Sequence, residues 1–167
     1  GTRMSVYVDD PVVATKKKSA GTPENESCRE IFYSQLREHF EFKDVTVISG
    51  NQSIDYLSMT MAAEGDDTVT WSNPRFVDAL IAQLGLEGCN AAKLPITKES
   101  LKEIAAEAEM GDYLEEAAHS FYRTILGEVL WLAQTTHPDI AVAASLLSKR
   151  CAKPTPTWAK ALKHLVR

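Results

Sequence analysis

Residues 114–134 read Leu-Glu-Glu-Ala-Ala-His-Ser-Phe-Tyr-Arg-Thr-Ile-Leu-Gly-Glu-Val-Leu-Trp-Leu-Ala-Gln, and they carry the longest helical pattern in the chain. Apolar residues return every three or four positions, so a helix built from this stretch has one apolar side to bury. The sequence after it supplies partners. Pro138 opens one helix and Thr155-Pro156 another, because proline at the first helical position loses no internal hydrogen bond. Upstream, Glu99 to Glu109 reads as a weaker, acidic helix. Asn73-Pro74 starts a further one, with Phe76, Val77, Leu80, Ile81 and Leu84 inside and Gly85 as its stop. Residues 86–97 read as a linker.

Before Asn73 the period shifts toward that of strands, over Val45–Ile48, Tyr56–Met61 and Thr68–Trp71, with Ala62–Asp67 joining the last two. At the start of the chain, Met4–Val8 and Val12–Thr15 flank the turn signal Asp9-Asp10 and predict a tight hairpin. Lys16–Gly21 is a basic loop. Thr22-Pro23-Glu24 then starts a helix in which Cys28, Ile31, Phe32, Leu36 and Phe40 share a face expected to be buried. The expected fold class is α+β: a small antiparallel sheet with the Asp-bearing hairpin, followed by a mostly helical C-terminal half. Residues 1–97 and 98–167 form its two regions.

At 167 residues, 44% hydrophobic and 25% charged, the composition excludes a disordered tail, a collagenous chain and a disulfide-framed peptide. No apolar run approaches the roughly 20 residues that span a bilayer, and Gly1-Thr2-Arg3-Met4 lacks the apolar core of a signal peptide, so the expected location is intracellular. Cys28, Cys89 and Cys151 are far apart and lack Cys-x-x-Cys spacing, as expected of reduced apolar side chains. His39, His119, His137 and His164 make no zinc pattern, and His137 is expected at a helix entry. The absence of a Gly-x-Ser-x-Gly elbow, a glycine-rich phosphate loop and a Walker lysine argues against most hydrolases, kinases and NTPases.

A net charge of −5 opposes strong unaided binding to nucleic acid, but the charge is unevenly spread. Lys98 to Glu116 holds two lysines against seven acidic residues, while Thr136 to Arg167 holds six basic residues against one aspartate. The pattern is an acidic segment followed by a basic end.

Tyr7-Val8-Asp9-Asp10 is the stretch richest in chemistry. Two adjacent carboxylates between apolar strands repel one another and raise each other's pKa unless a cation neutralises them. Hard oxygen donors suit magnesium, which binds through few carboxylates plus substrate phosphates. A polar hairpin turn without metal would use the same residues, since aspartate favours turns. Gly65-Asp66-Asp67, by contrast, reads as a solvated hairpin tip.

Several separated stretches resemble one family. Ser5-Val6-Tyr7-Val8-Asp9-Asp10 resembles the catalytic hairpin of reverse transcriptases. More specific is Tyr122-Arg123-Thr124-Ile125-Leu126-Gly127 through Leu130-Trp131-Leu132-Ala133. Thr136-His137-Pro138-Asp139-Ile140, Leu147-Ser148-Lys149, Pro154, Trp158 and Ala161-Leu162-Lys163 continue it. This order is similar to the stretch after the polymerase core in copia-type LTR retrotransposon polyproteins. Phe40-Glu41-Phe42-Lys43-Asp44 and Tyr56-Leu57-Ser58-Met59 also match in place, the latter at the primer-gripping strand. The sequence departs from the family at Pro11, where a large aliphatic residue is usual, and at Ser58, where glycine is. It departs again at His137, usually arginine, and at Glu128, where a small residue is expected.

The resemblance implies a C-terminal part of the palm, through thumb and connection, of an RNA-directed DNA polymerase, a nucleotidyltransferase. Asp9 and Asp10 would be two of its three metal carboxylates, for Mg2+ or Mn2+ in the complete polymerase. Tyr7 would line the hairpin near the primer end, and Tyr56, Leu57, Ser58 and Met59 would support the primer. Lys149, Arg150, Lys153 and Lys163 would meet template-primer phosphates, whereas Leu130, Trp131 and Trp158 read as core. The family's upstream metal aspartate, fingers and ribonuclease H domain are not found in the sequence. The expectation is therefore a segment inactive by itself. In the complete enzyme its partners are template-primer, deoxynucleoside triphosphates and the remaining Pol polyprotein, in a cytoplasmic virus-like particle or the nucleus. The alternative is a non-catalytic remnant or co-opted module that binds nucleic acid or protein. A third reading is a structural adaptor whose acidic segment, residues 98–116, binds a basic partner.

Overall fold

The computed structural model describes residues 2–7, 10–15, 24–41, 45–48, 50–65, 68–107 and 112–167, with the backbone alone for 2–7, 10, 11, 14, 15 and 24–30. The fold is α+β. Strands β1 (Thr2–Tyr7) and β2 (Asp10–Thr15) form one antiparallel pair, followed by helix α1 (Glu24–Arg37). Strands β3 (Ser53–Tyr56), β4 (Met59–Glu64) and β5 (Thr68–Ser72) form a second antiparallel sheet in the order β3-β4-β5. Helices α2 (Pro74–Gln83), α3 (Lys98–Ala106), α4 (Glu116–Thr135), α5 (Ala141–Ser148) and α6 (Pro156–Val166) complete the chain, with a 3-10 turn at Pro138–Ile140 leading into α5. By contact the chain divides into two compact units, Gly1–Ile54 with Ala62–Thr70, and Asp55–Met61 with Trp71–Arg167.

The second unit holds the main core. Helix α4 supplies Tyr122, Ile125, Leu126, Val129, Leu132 and Ala133, which share a cluster with Ala143, Ala144 and Leu147 of α5 and Trp158, Ala161, Leu162 and Leu165 of α6. Leu80 of α2 belongs to the same cluster. Trp158 is buried, while Leu130 and Trp131 pack partly buried against the cluster, as expected of core residues. Glu128 is half-buried on α4.

Two polar contacts tie these helices. The Tyr122 hydroxyl donates to the Leu147 carbonyl at 2.8 Å, joining α4 to the last turn of α5. With the side chain only 2% exposed, burial pushes its phenol well above the ordinary tyrosine value, with a smaller push from Cys151. The Glu107 carboxylate accepts from the Thr155 hydroxyl at 2.7 Å and from the Trp158 indole N–H at 2.8 Å. Thr155 thus sits at the N-cap of α6 with its hydroxyl given to Glu107 rather than to the helix backbone. A carboxylate beside the start of α6 also complements the positive end of the helix dipole.

Helix ends follow the chemistry of their residues. The Asn73 side chain accepts from the Phe76 N–H at 3.3 Å and Pro74 occupies the first position of α2. At its other end Gly85 adopts φ +59, its N–H donates to Ala82, and Leu86 N–H donates to Ile81 while the Leu86 side chain is buried. That is a Schellman closure. Residues 86–97 are irregular but strapped to α6, through Ala92 N–H to the Arg167 carbonyl and His164 Nε2 to the Leu94 carbonyl.

Five expectations are corrected. Val45–Ile48 forms no strand, and Val45 and Val47 are exposed; a β-branched run becomes a strand only when it has a sheet to pack on. Tyr56–Met61 is not continuous, because Leu57 and Ser58 turn the chain between β3 and β4. The acidic helix stops at Ala106, where Glu107 extends to reach Thr155 and Trp158. The long helix starts at Glu116 rather than Leu114, whose N–H donates instead to the Pro154 carbonyl. The apolar face of α1 is not buried as a whole: Ile31 is 54% exposed, and Phe40, 61% exposed, lies beyond the helix end. Thr22-Pro23, the Lys16–Gly21 loop, Phe42–Asp44, Asp66-Asp67 and residues 108–109 lie outside the described residues.

Replacing Tyr122 by Phe strands the buried Leu147 carbonyl and should cost about 1–3 kcal/mol in urea denaturation. Because the folded phenol holds its proton more tightly than the unfolded one, wild-type stability should fall as pH rises above about 10, and Tyr122→Phe should remove that slope. In the same helix, a Cβ added at Gly127 meets nothing within 4 Å, so Gly127→Ala should raise stability by roughly 0.5–1 kcal/mol.

Candidate nucleic-acid interface

The antiparallel register of the first hairpin pairs Tyr7 with Asp10 and Val6 with Pro11. Asp10 is therefore the first residue of β2, not part of the turn, and Val8 and Asp9 are the two residues between the paired positions. Val8 and Asp9 themselves lie outside the described residues. In a hairpin with a two-residue connection, the closing pair exchanges ladder hydrogen bonds and the next pair does not. Val6↔Pro11 is that next pair, so the N–H that proline lacks is not one this ladder requires. Pairing continues through Pro11 to Thr15.

As donors, Asp9 and Asp10 are hard carboxylate oxygens on neighbouring residues, a set that fits magnesium as part of its coordination shell, with water and phosphate oxygens making up the rest. Among the described residues, no group of three His, Cys, Asp or Glu side chains could hold a metal ion.

Tyr56-Leu57-Ser58-Met59 forms the connection between β3 and β4. Leu57 has φ +49 and Ser58 has φ +63, left-handed backbone at both central positions, as in a type I′ hairpin turn. Asn-Gly is the usual occupant of such a turn; neither leucine nor serine favours it. Beside the turn, the Tyr56 ring meets Trp71 of β5 edge to face at 5.9 Å. The Thr60 hydroxyl donates to the Asp55 carboxylate, which also pairs with Arg75 at 3.3 Å. Both partners of that pair are largely exposed, so it contributes little to stability.

Of the four basic residues, three are brought together. Lys149, Arg150 and Lys153 lie in the turn between α5 and α6, with Lys149 and Lys153 exposed and Arg150 half-buried. Lys163 stands apart, exposed on the last turn of α6. Residues 113–119 hold the basic turn from outside. Lys153 Nζ sits 5.5 Å from the Tyr113 ring centre, and His119 Nε2 bonds to the Cys151 carbonyl at 2.8 Å. His119 also helps line a shallow depression of about 400 Å³ on α4, with Glu116, Ser120, Arg123 and Thr124. His137 stands at the entry to the 3-10 turn, where its Nδ1 meets the Thr136 hydroxyl at 2.8 Å.

Tyr113, His119, Trp71 and Glu107 were not singled out by the sequence, since each acts through a residue remote in the chain. No protein-family model matches the chain, and no solved structure matches it.

The Leu57-Ser58 turn yields a direct test. Replacing the pair by Asn-Gly should stabilise the protein by about 1–2 kcal/mol, measured by denaturant titration, since each left-handed position then carries a residue suited to it. Proline at position 58 should do the opposite, because its ring cannot adopt positive φ.

Proposed function

We propose that this chain is the part of a copia-type retrotransposon reverse transcriptase that runs from the catalytic hairpin of the palm through the thumb and connection. The observation that carries the reading is Ser58. The family resemblance puts glycine at this position, and the backbone there is left-handed at φ +63, the conformation for which glycine is used. The resemblance and the backbone angle point to the same residue. The tight hairpin with Asp10 closing it opposite Tyr7 gives further support.

In this reading Asp9 and Asp10 would hold Mg2+ or Mn2+, and with a complete set of carboxylates the ion would supply activation of the primer hydroxyl and charge stabilisation for the leaving oxygens. Tyr7 borders the primer end. The Tyr56–Met59 turn supports the primer strand, and the Tyr56–Trp71 contact limits how far Tyr56 moves. Lys149, Arg150, Lys153 and Lys163 neutralise backbone phosphates without reading sequence. Two carboxylates supply one side of a metal pair, so residues 1–167 bind template-primer modestly and do not by themselves align a triphosphate with a primer hydroxyl.

Primer extension tests the reading. The purified chain should give no template-directed synthesis with either metal. Fused behind a copia-type fingers and front-palm segment it should gain synthesis, and Asp9→Asn should abolish that gain with the fold unchanged by circular dichroism. Pro11→Ile should leave the hairpin paired and synthesis equal or higher. A fusion that stays silent with isoleucine at position 11 would leave the alternative, a non-catalytic module that binds nucleic acid or protein. Robust extension by the unfused chain would overturn the assignment of Asp9 and Asp10 as an incomplete set.

A further inference from the structure

The geometry points to His119 as a positioning residue that holds residues 149–153 in the shape in which Lys149, Arg150 and Lys153 meet the phosphates of a nucleic-acid duplex. The inference rests on the proposed phosphate-binding role of that turn and adds the group that organises it. Long cationic side chains on a free loop gain little from phosphate, because ordering the loop on binding offsets much of the attraction. Here the ordering is already done. Within the turn, Cys151 N–H donates to the Ser148 carbonyl and Lys153 N–H to the Arg150 carbonyl. Three outside anchors come from one stretch: Leu114 N–H to the Pro154 carbonyl at 2.9 Å, His119 Nε2 to the Cys151 carbonyl at 2.8 Å, and the Tyr113 ring under Lys153.

His119 is the anchor at the middle of the turn, since Cys151 lies between Arg150 and Lys153. A carbonyl only accepts, so Nε2 carries the hydrogen and donates it. The contact spans 32 residues of sequence and joins α4 to the loop that α5 and α6 share. The carboxylates of Asp112, Glu115 and Glu116 lie on the same anchoring stretch, all exposed, and they keep the affinity of this surface for phosphate modest.

The test is binding of the whole chain to a mixed-sequence DNA duplex by fluorescence anisotropy, from about 50 mM salt upward, where phosphate contacts are strongest. His119→Ala should weaken binding about fivefold, the scale of losing one hydrogen bond, with the salt slope unchanged because every cation is still present. His119→Gln, whose amide can donate to the same carbonyl, should restore it. Lys153→Gln should instead make the slope shallower by about one. A loss of folding would also weaken the apparent affinity, so circular dichroism and a urea titration of each variant must first show that it is fully folded under the binding conditions. If the unaltered chain binds no duplex, the phosphate-binding role of the turn falls, and this inference with it. If the unaltered chain binds and His119→Ala binds equally well, or if His119→Ala shifts the salt slope without rescue by glutamine, the positioning role alone is overturned.

Discussion

The hydrogen bond from the Tyr122 phenol to the Leu147 carbonyl is the constraint around which the C-terminal unit is arranged. A buried hydroxyl and a buried helix-end carbonyl must each find a partner, and here each is the other's solution. It fixes the level of α5 along α4 as well as its distance. Once α5 is placed, the chain has only seven residues, 149–155, in which to turn and start α6. Those residues are held by the strap at 113–119 and by Glu107. The basic turn, the buried tryptophan and the end of the acidic helix are thus consequences of one packing decision.

The helical half was legible because its signals are local. Apolar spacing, Asn73-Pro74, Gly85 and Pro156 act within a few residues of themselves, and the structure uses each where it stands. What was illegible involves partners distant in sequence. Nothing near Glu107 says that it will accept from an indole 51 residues away, so the helix boundary there was misplaced. The exposure of Ile31 shows the converse error, since helical spacing reports that a face is apolar and is silent on what covers it.

The candidate site divides in the same way. Tyr7-Val8-Asp9-Asp10 stands out because carboxylates next to apolar strands are conspicuous, though Asp10 belongs to β2. Lys149, Arg150 and Lys153 stand out by composition. His119 and Tyr113 do not, because a histidine in an acidic neighbourhood and a tyrosine before a helix are unremarkable until the turn they touch is in place. The left-handed backbone at Leu57-Ser58 was hidden for another reason: such turns are recognised by Asn and Gly, and neither is there.

That last feature bears on the order in which the molecule assembles. A turn of residues that prefer its conformation closes early and draws its strands together within microseconds. Leucine and serine have no such preference, so the β3–β4 connection is unfavourable until the strands are already paired. Only the completed ladder, reinforced by the Tyr56–Trp71 contact from β5, makes it worthwhile. Here the strands make the turn. The expected consequence is that β3 and β4 pair more slowly than the strands of a hairpin closed by Asn-Gly.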